Sequence, residues 1–129
     1  MDTLLKQILF VGLGGCVGSI GRFLIGVWVQ RGLRVTSFPI GTLTVNILGC
    51  FLIGILGGLS DLKGVLHPQM RLLLMVGVLG GFTTFSSFGY ETMALLRDAE
   101  YGLALLNTGG SVILGCAAVF LGYRLVAEL

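Results

Sequence analysis

The chain has 129 residues, of which 55% are hydrophobic and only 11% charged. A soluble domain carries about 25% charged residues, so this composition excludes an ordinary water-facing surface. The net charge of +2 is small and says little about partners, and there is no basic stripe for nucleic acid, which is not expected as one.

The charges fall between apolar blocks. Arg31 and Arg34 form one cluster, Asp61 and Lys63 through Arg71 a second, and Arg97 to Glu100 a third. A membrane crossing needs roughly 20 apolar residues, which places four spans at about 4–30, 38–60, 70–97 and 101–126. These make one four-span domain in an all-α membrane protein. The first block is too long for a signal peptide and carries Arg22 inside it, so it reads as a mature span.

In the first span Gly14, Gly18, Arg22 and Gly26 recur every four residues. In the second, Thr42, Asn46, Cys50, Gly54 and Gly58 do the same. Such spacing keeps residues on one helix face. In a membrane, small faces let backbones approach, and polar members hydrogen-bond across the contact. The glycines therefore predict close packing, which we expect to build a compact dimer. Two readings stand open for Arg22: a fixed charge that gathers anions at a water-filled mouth, or an ion pair or carbonyl contact. Asn46 offers two N–H donors, which suit either a dehydrated anion or an interhelical hydrogen bond. His67, alone beside Pro68, reads as a solvated loop residue.

The third span carries Gly80-Gly81-Phe82-Thr83-Thr84-Phe85-Ser86-Ser87-Phe88. Paired glycines and paired threonines are poor material for an uninterrupted helix. Irregular backbone at membrane depth is tolerated only where protein or a water-filled cavity surrounds it. Broken membrane helices aim free backbone groups and hydroxyls at an ion. Phe85 and Phe88 share a face. Aromatic rings are positive at their edges, so beside Ser86, Ser87 and Asn46 they can hold a bare anion weakly, as throughput requires. Glu91 repels anions if ionised and is expected at a pore end, protonated or paired. In the fourth span Asn107, Ser111 and Gly115 line up. Cys16, Cys50 and Cys116 lie in three different spans and read as small packing residues. No nucleophile–base pair or metal cluster suggests an enzyme.

With four spans both termini lie on one side. That side has Lys6, Lys63, Arg71 and Arg124, against Arg31, Arg34 and Arg97 on the other. So small a bias gives weak orientation and predicts dual topology, with two copies pairing antiparallel. Four short helices are a thin bundle, which favours a conduction path near a subunit contact.

The motif Gly80–Phe88 matches the GGxTTFSxF signature of the CrcB family, the Fluc-type fluoride channels of microbes. GGCVGSIGR at Gly14–Arg22 followed by Phe23, PIGTLTVN at Pro39–Asn46 followed by Gly49, and GLALLN at Gly102–Asn107 also resemble that family, over essentially the whole chain. The resemblance implies a dual-topology antiparallel homodimer in the plasma (inner) membrane, with two pores, passively exporting cytoplasmic fluoride. It implies that Phe85 and Phe88 line the pores, the two rings of each pore coming from different subunits. It further implies that Asn46 faces the fluoride path, that Ser86, Ser87 and Ser111 continue it as a polar track, and that Arg22 sits near the vestibule. A structural sodium ion is implied at the dimer centre, held by the backbone carbonyls of Gly80 and Thr83. Tyr101 matches an aromatic of the fourth span. Phe82 stands where the signature often has Leu, and Gly115 where some relatives carry a hydroxyl.

Two other readings remain open from the sequence. A small dual-topology exporter of toxic compounds needs an embedded carboxylate at a central site, and Glu91 is the only mid-span acid. A non-transporting membrane assembly protein explains the glycines but needs neither the polar break nor Asn46.

Overall fold

The computed structural model describes residues 3–129. Helix α1 (Thr3–Gly32) leads to α2 (Ile40–Asp61). The third segment is composite. It opens with α3 (Pro68–Arg71), passes into a π-helical stretch (Leu72–Leu79) and closes with one α turn, α4 (Gly80–Phe82). Helix α5 (Phe85–Arg97) follows, then α6 (Tyr101–Ala127). Among the described residues there is no strand. Four helical segments are long and apolar enough to cross a membrane: Thr3–Gly32, Ile40–Asp61, Pro68–Arg97 and Tyr101–Ala127.

The pairing of these segments follows from where side chains are missing. A methyl group on Gly14 would lie 2.3 Å from the Leu73 carbonyl oxygen, and one on Gly18 2.0 Å from that of Val78. One on Gly81 would lie 2.6 Å from the Gly15 carbonyl oxygen. Helix α1 therefore runs in backbone contact with the π stretch and α4. On the other side, a methyl group on Gly54 would meet the Val119 carbonyl oxygen at 2.2 Å, and one on Gly122 that of Phe51 at 2.3 Å. Helices α2 and α6 are thus pressed together in the same way. With lipid as apolar as leucine, close van der Waals contact of this kind is what holds membrane helices. The glycine stripes expected to build a dimer contact instead close contacts inside one chain. The physical reason is that Gly14, Gly18, Gly54 and Gly58 are already buried by the chain's own helices.

Phe82 is buried in the interior. A methyl group added to Gly49 would meet its ring at 3.4 Å, and one added to Gly21 at 3.6 Å, so it fills the space between α1 and α2. The α1–α2 loop is organised by Gln30. Its Nε2 donates to the Val35 carbonyl and to that of Phe38 (3.1 Å), while its Oε1 accepts the Gly41 N–H (3.0 Å). That last bond satisfies one of the free amides at the start of α2. The α5–α6 turn is a Schellman closure, with Glu100 N–H on the Leu95 carbonyl (2.8 Å) and Ala99 at φ 59°.

Candidate functional site

Between Phe82 and Phe85 the backbone leaves helical torsion angles. Thr83 has φ −81° and ψ 157°, and Thr84 has φ −149° and ψ 118°. Both are extended. The Thr83 N–H and its Oγ1 still donate to the Leu79 carbonyl, each at 2.9 Å. In a continuous helix the Thr84 N–H would close on the Gly80 carbonyl and the Ser87 N–H on that of Thr83. Here the Thr84 N–H donates instead to Asn46 Oδ1 at 2.8 Å. The Ser87 N–H donates to Thr84 Oγ1 at 3.2 Å, which makes Thr84 the N-cap of α5. The carbonyls of Gly80 and Thr83 are both left without these helical partners.

Asn46 holds the other half of the arrangement. Its Nδ2 donates to the Thr84 carbonyl at 3.0 Å while its Oδ1 takes the Thr84 N–H. The side-chain amide thus reads Thr84 as a neighbouring strand would. Only one amide orientation satisfies both backbone groups, since an N–H must meet an oxygen and a carbonyl must meet a donor. One Nδ2 hydrogen is spent on Thr84, and the second is left for another acceptor.

Asn46 also lines an open groove of about 390 Å³. Gly80, Thr83, Thr84, Phe85, Phe88 and Ser111 line it too, with Gly49, Cys50, Ile53, Met75, Leu79 and Val112 completing the wall. The rings of Phe85 and Phe88 lie 5.4 Å apart, tilted 43° to each other. Phe85 is 83% exposed on its own chain. Ser111 Oγ is buried and has no hydrogen-bond partner.

Of the residues singled out from the sequence, the structure brings Asn46, Gly80, Thr83, Phe85, Phe88 and Ser111 to one groove. Ser86 and Ser87 do not line it; their hydroxyls lie 3.3 and 3.1 Å from Thr84 Oγ1. Arg22 stands apart on α1, half-buried, with no ion pair among the described residues. Tyr101 is exposed at the start of α6. Glu91 does not line the groove. Its Oε1 accepts a 2.6 Å hydrogen bond from Thr42 Oγ1, and its Oε2 is buried without a partner. Sequence reasoning passed over Thr84, Thr42 and Thr92 as single residues. A signal existed for two of them, since Thr42 stands one turn before Asn46 and Thr92 one turn after Phe88.

Residues 9–123 match the family model described as CrcB-like protein, Camphor Resistance (CrcB). The chain belongs to the CrcB family. It is similar to the fluoride-specific ion channel FluC of Thermus thermophilus, 54% identical over 124 residues and covering 96% of each chain. It is also similar to the protein of the same name from Methylobacillus flagellatus, 45% identical over 93% of this chain and 94% of that one. The FluC 3 channel of Methanosarcina barkeri is 41% identical over 89% and 86%. These relatives are ion channels, and the family is not one of enzymes. With its four crossing helices, the chain is a multi-pass membrane protein of that family.

Proposed function

We propose that this protein is a fluoride-selective channel that lets fluoride leave the cytoplasm passively, with two pores in an antiparallel homodimer in the plasma membrane. The observation that carries the reading is the Ser111 hydroxyl, left without a partner at the groove that Asn46, Phe85 and Phe88 also line. A small anion sheds strongly held water only where donors replace it. The spare Nδ2 hydrogen of Asn46, the Ser111 hydroxyl and the positive ring edges are such groups. None is a full charge, so the anion is held weakly and released. The named relatives support fluoride as that anion.

A second copy completes the path. Phe85 projects from its own chain, and a ring from an inverted partner would face it across the groove. The near-balanced loop charges support insertion in both orientations. The interruption at Thr83 and Thr84 serves a cation in this reading. The carbonyl oxygens of Gly80 and Thr83 lack helical partners, and the matching pair from the partner would make four hard oxygen donors. These residues fit a sodium ion. Bound there, sodium supplies positive charge at the dimer centre and ties the two interrupted segments together. A small exporter is less well supported, because Glu91, the only mid-span acid, does not line the groove.

The test is reconstitution in liposomes. Fast fluoride efflux that requires an ionophore to release the charge, with no chloride efflux, is the expected result. No fluoride efflux from folded dimer would overturn the reading. Phe88→Ile is expected to slow fluoride efflux while leaving the dimer intact, because it removes the ring edge and keeps a branched apolar side chain in the wall. Wild-type flux in that variant takes Phe88 out of the path.

Gly80→Val tests the cation site. A methyl group at Gly80 meets only the Met75 carbonyl oxygen, at 3.9 Å, so the single chain accommodates it. The Cβ itself is thus no obstacle within one chain, and crowding by Gly80→Val is expected from the partner side. The expected result is a dimer that loses sodium-dependent stability, measured as thermal unfolding in sodium against a large organic cation. A variant whose stability responds to sodium as the wild type does removes Gly80 from the site.

A further inference from the structure

We infer that Asn107 is a positioning residue that sets the rotation of α5, and with it the aim of Phe85 and Phe88 into the groove. The inference rests on the proposed fluoride path and names a residue on α6 that controls it from outside.

Little within the chain holds α5. The helix follows the extended residues Thr83 and Thr84, so helical continuity does not fix its rotation. Leu95 is its only buried residue. Space for a methyl group at Gly89 is open. Within its own chain the helix is sparsely packed, so side-chain hydrogen bonds across helices set its rotation there. Among the described residues, side-chain bonds tie the segment Thr84–Thr92 to other helices at three places. Asn46 takes the Thr84 backbone, Thr42 takes Glu91, and Asn107 takes Thr92. The first two come from α2. Asn107 alone comes from α6, and it supplies the opposing constraint.

The chain of contacts reaches the pore ring. Asn107 Nδ2 donates to Thr92 Oγ1 at 3.0 Å, and Thr92 Oγ1 donates to the Phe88 carbonyl at 2.8 Å. Asn107 is only 2% exposed, so water cannot substitute for its partner. It lies one turn before Ser111, on the same face of α6. One helix face thus carries both a wall of the groove and the tether of the opposite wall. Side chains stand about 5–6 Å from a helix axis, so a rotation of roughly 15° moves a ring by about 1.5 Å. Such a shift changes which ring edges an ion meets.

Single-channel recording on reconstituted wild type, Asn107→Ala, Thr92→Val and Thr92→Ser tests this. The readouts are unitary fluoride current and the fluoride-to-chloride permeability ratio. A role limited to folding lowers the number of channels and moves neither. Asn107→Ala and Thr92→Val are each expected to lower unitary current roughly three- to tenfold and to raise relative chloride permeability. The double variant should be no worse than either single one, since both break the same chain. Thr92→Ser keeps the hydroxyl and should match wild type. Thr92→Val keeps the side-chain volume and decides the matter alone if Asn107→Ala does not assemble. Unaltered current and ratio in Thr92→Val, beside a conducting wild type, overturn the inference and leave the fluoride path standing. A folded wild type that passes no fluoride sinks the path and the inference together.

Discussion

Asn46→Asp is expected to lower fluoride efflux by at least roughly a hundredfold in folded protein. Aspartate keeps the volume and the oxygen that accepts the Thr84 N–H, now at 2.8 Å. It replaces the donor facing the Thr84 carbonyl at 3.0 Å with a second oxygen. A buried carbonyl left without its donor costs about 1–3 kcal/mol. The larger effect is charge. A carboxylate about 4 Å from a passing anion repels it by about 4 kcal/mol at the effective dielectric of a partly wet site, or roughly a thousandfold in occupancy. Asn46→Ala separates the two contributions. It loses both bonds to Thr84 but adds no charge, so its flux should fall less than that of the aspartate variant. Its backbone at Thr84 is freed to return to helical pairing with Gly80, so sodium-dependent stability should fall as well. Liposome efflux read with a fluoride electrode measures the first effect and thermal unfolding the second. Wild-type efflux from Asn46→Asp would remove Asn46 from the path.

Gly18→Ala is expected to be the most damaging single methyl group in the chain. Its Cβ would stand 2.0 Å from the Val78 carbonyl oxygen and 2.8 Å from the Phe82 backbone nitrogen. Both are backbone atoms and cannot swing away. Helix α1 must move off the π stretch, which also opens the Gly14 contact against Leu73 and Gly77. Overpacking of this kind costs about 1–3 kcal/mol or more. The loss extends to function, because Leu79 to Phe82 carry the segment that ends in the extended threonines. The measurement is the fraction of monodisperse protein after graded heating in detergent. Gly32→Ala, on the same helix with nothing within 4 Å, is the control and should behave as wild type. A Gly18→Ala protein as heat-resistant as that control would show that α1 does not lie against Val78.

The contrast between those two glycines marks the boundary of what could be read without coordinates. Hydropathy along a membrane segment is a local, one-dimensional property, so four apolar segments with charged turns between them were legible in the residue order. So was the unsuitability of Gly80-Gly81 and Thr83-Thr84 for an unbroken helix, since propensity is also local. The GGxTTFSxF motif carried the family, which the match over residues 9–123 establishes. The rest depends on which faces meet. Gly14, Gly54 and Gly122 look alike in sequence, and only the approach of backbones decides that Gly14 and Gly18 take the π stretch while Gly54 and Gly122 close on each other's helices. The π stretch itself left no mark in Leu72–Leu79, because its residues are as apolar as any in a regular span. Asn46 announced itself as an amide at membrane depth that must find partners. That it spends one donor and its acceptor on Thr84, freeing the carbonyls of Gly80 and Thr83, follows only from the helices being brought side by side. Composition and periodicity determined that this chain crosses a membrane four times with an interrupted third segment's worth of polar residues. Tertiary structure decided which polar groups are satisfied within the protein and which are left for an ion, because that is set by distance across helices and not by order along one.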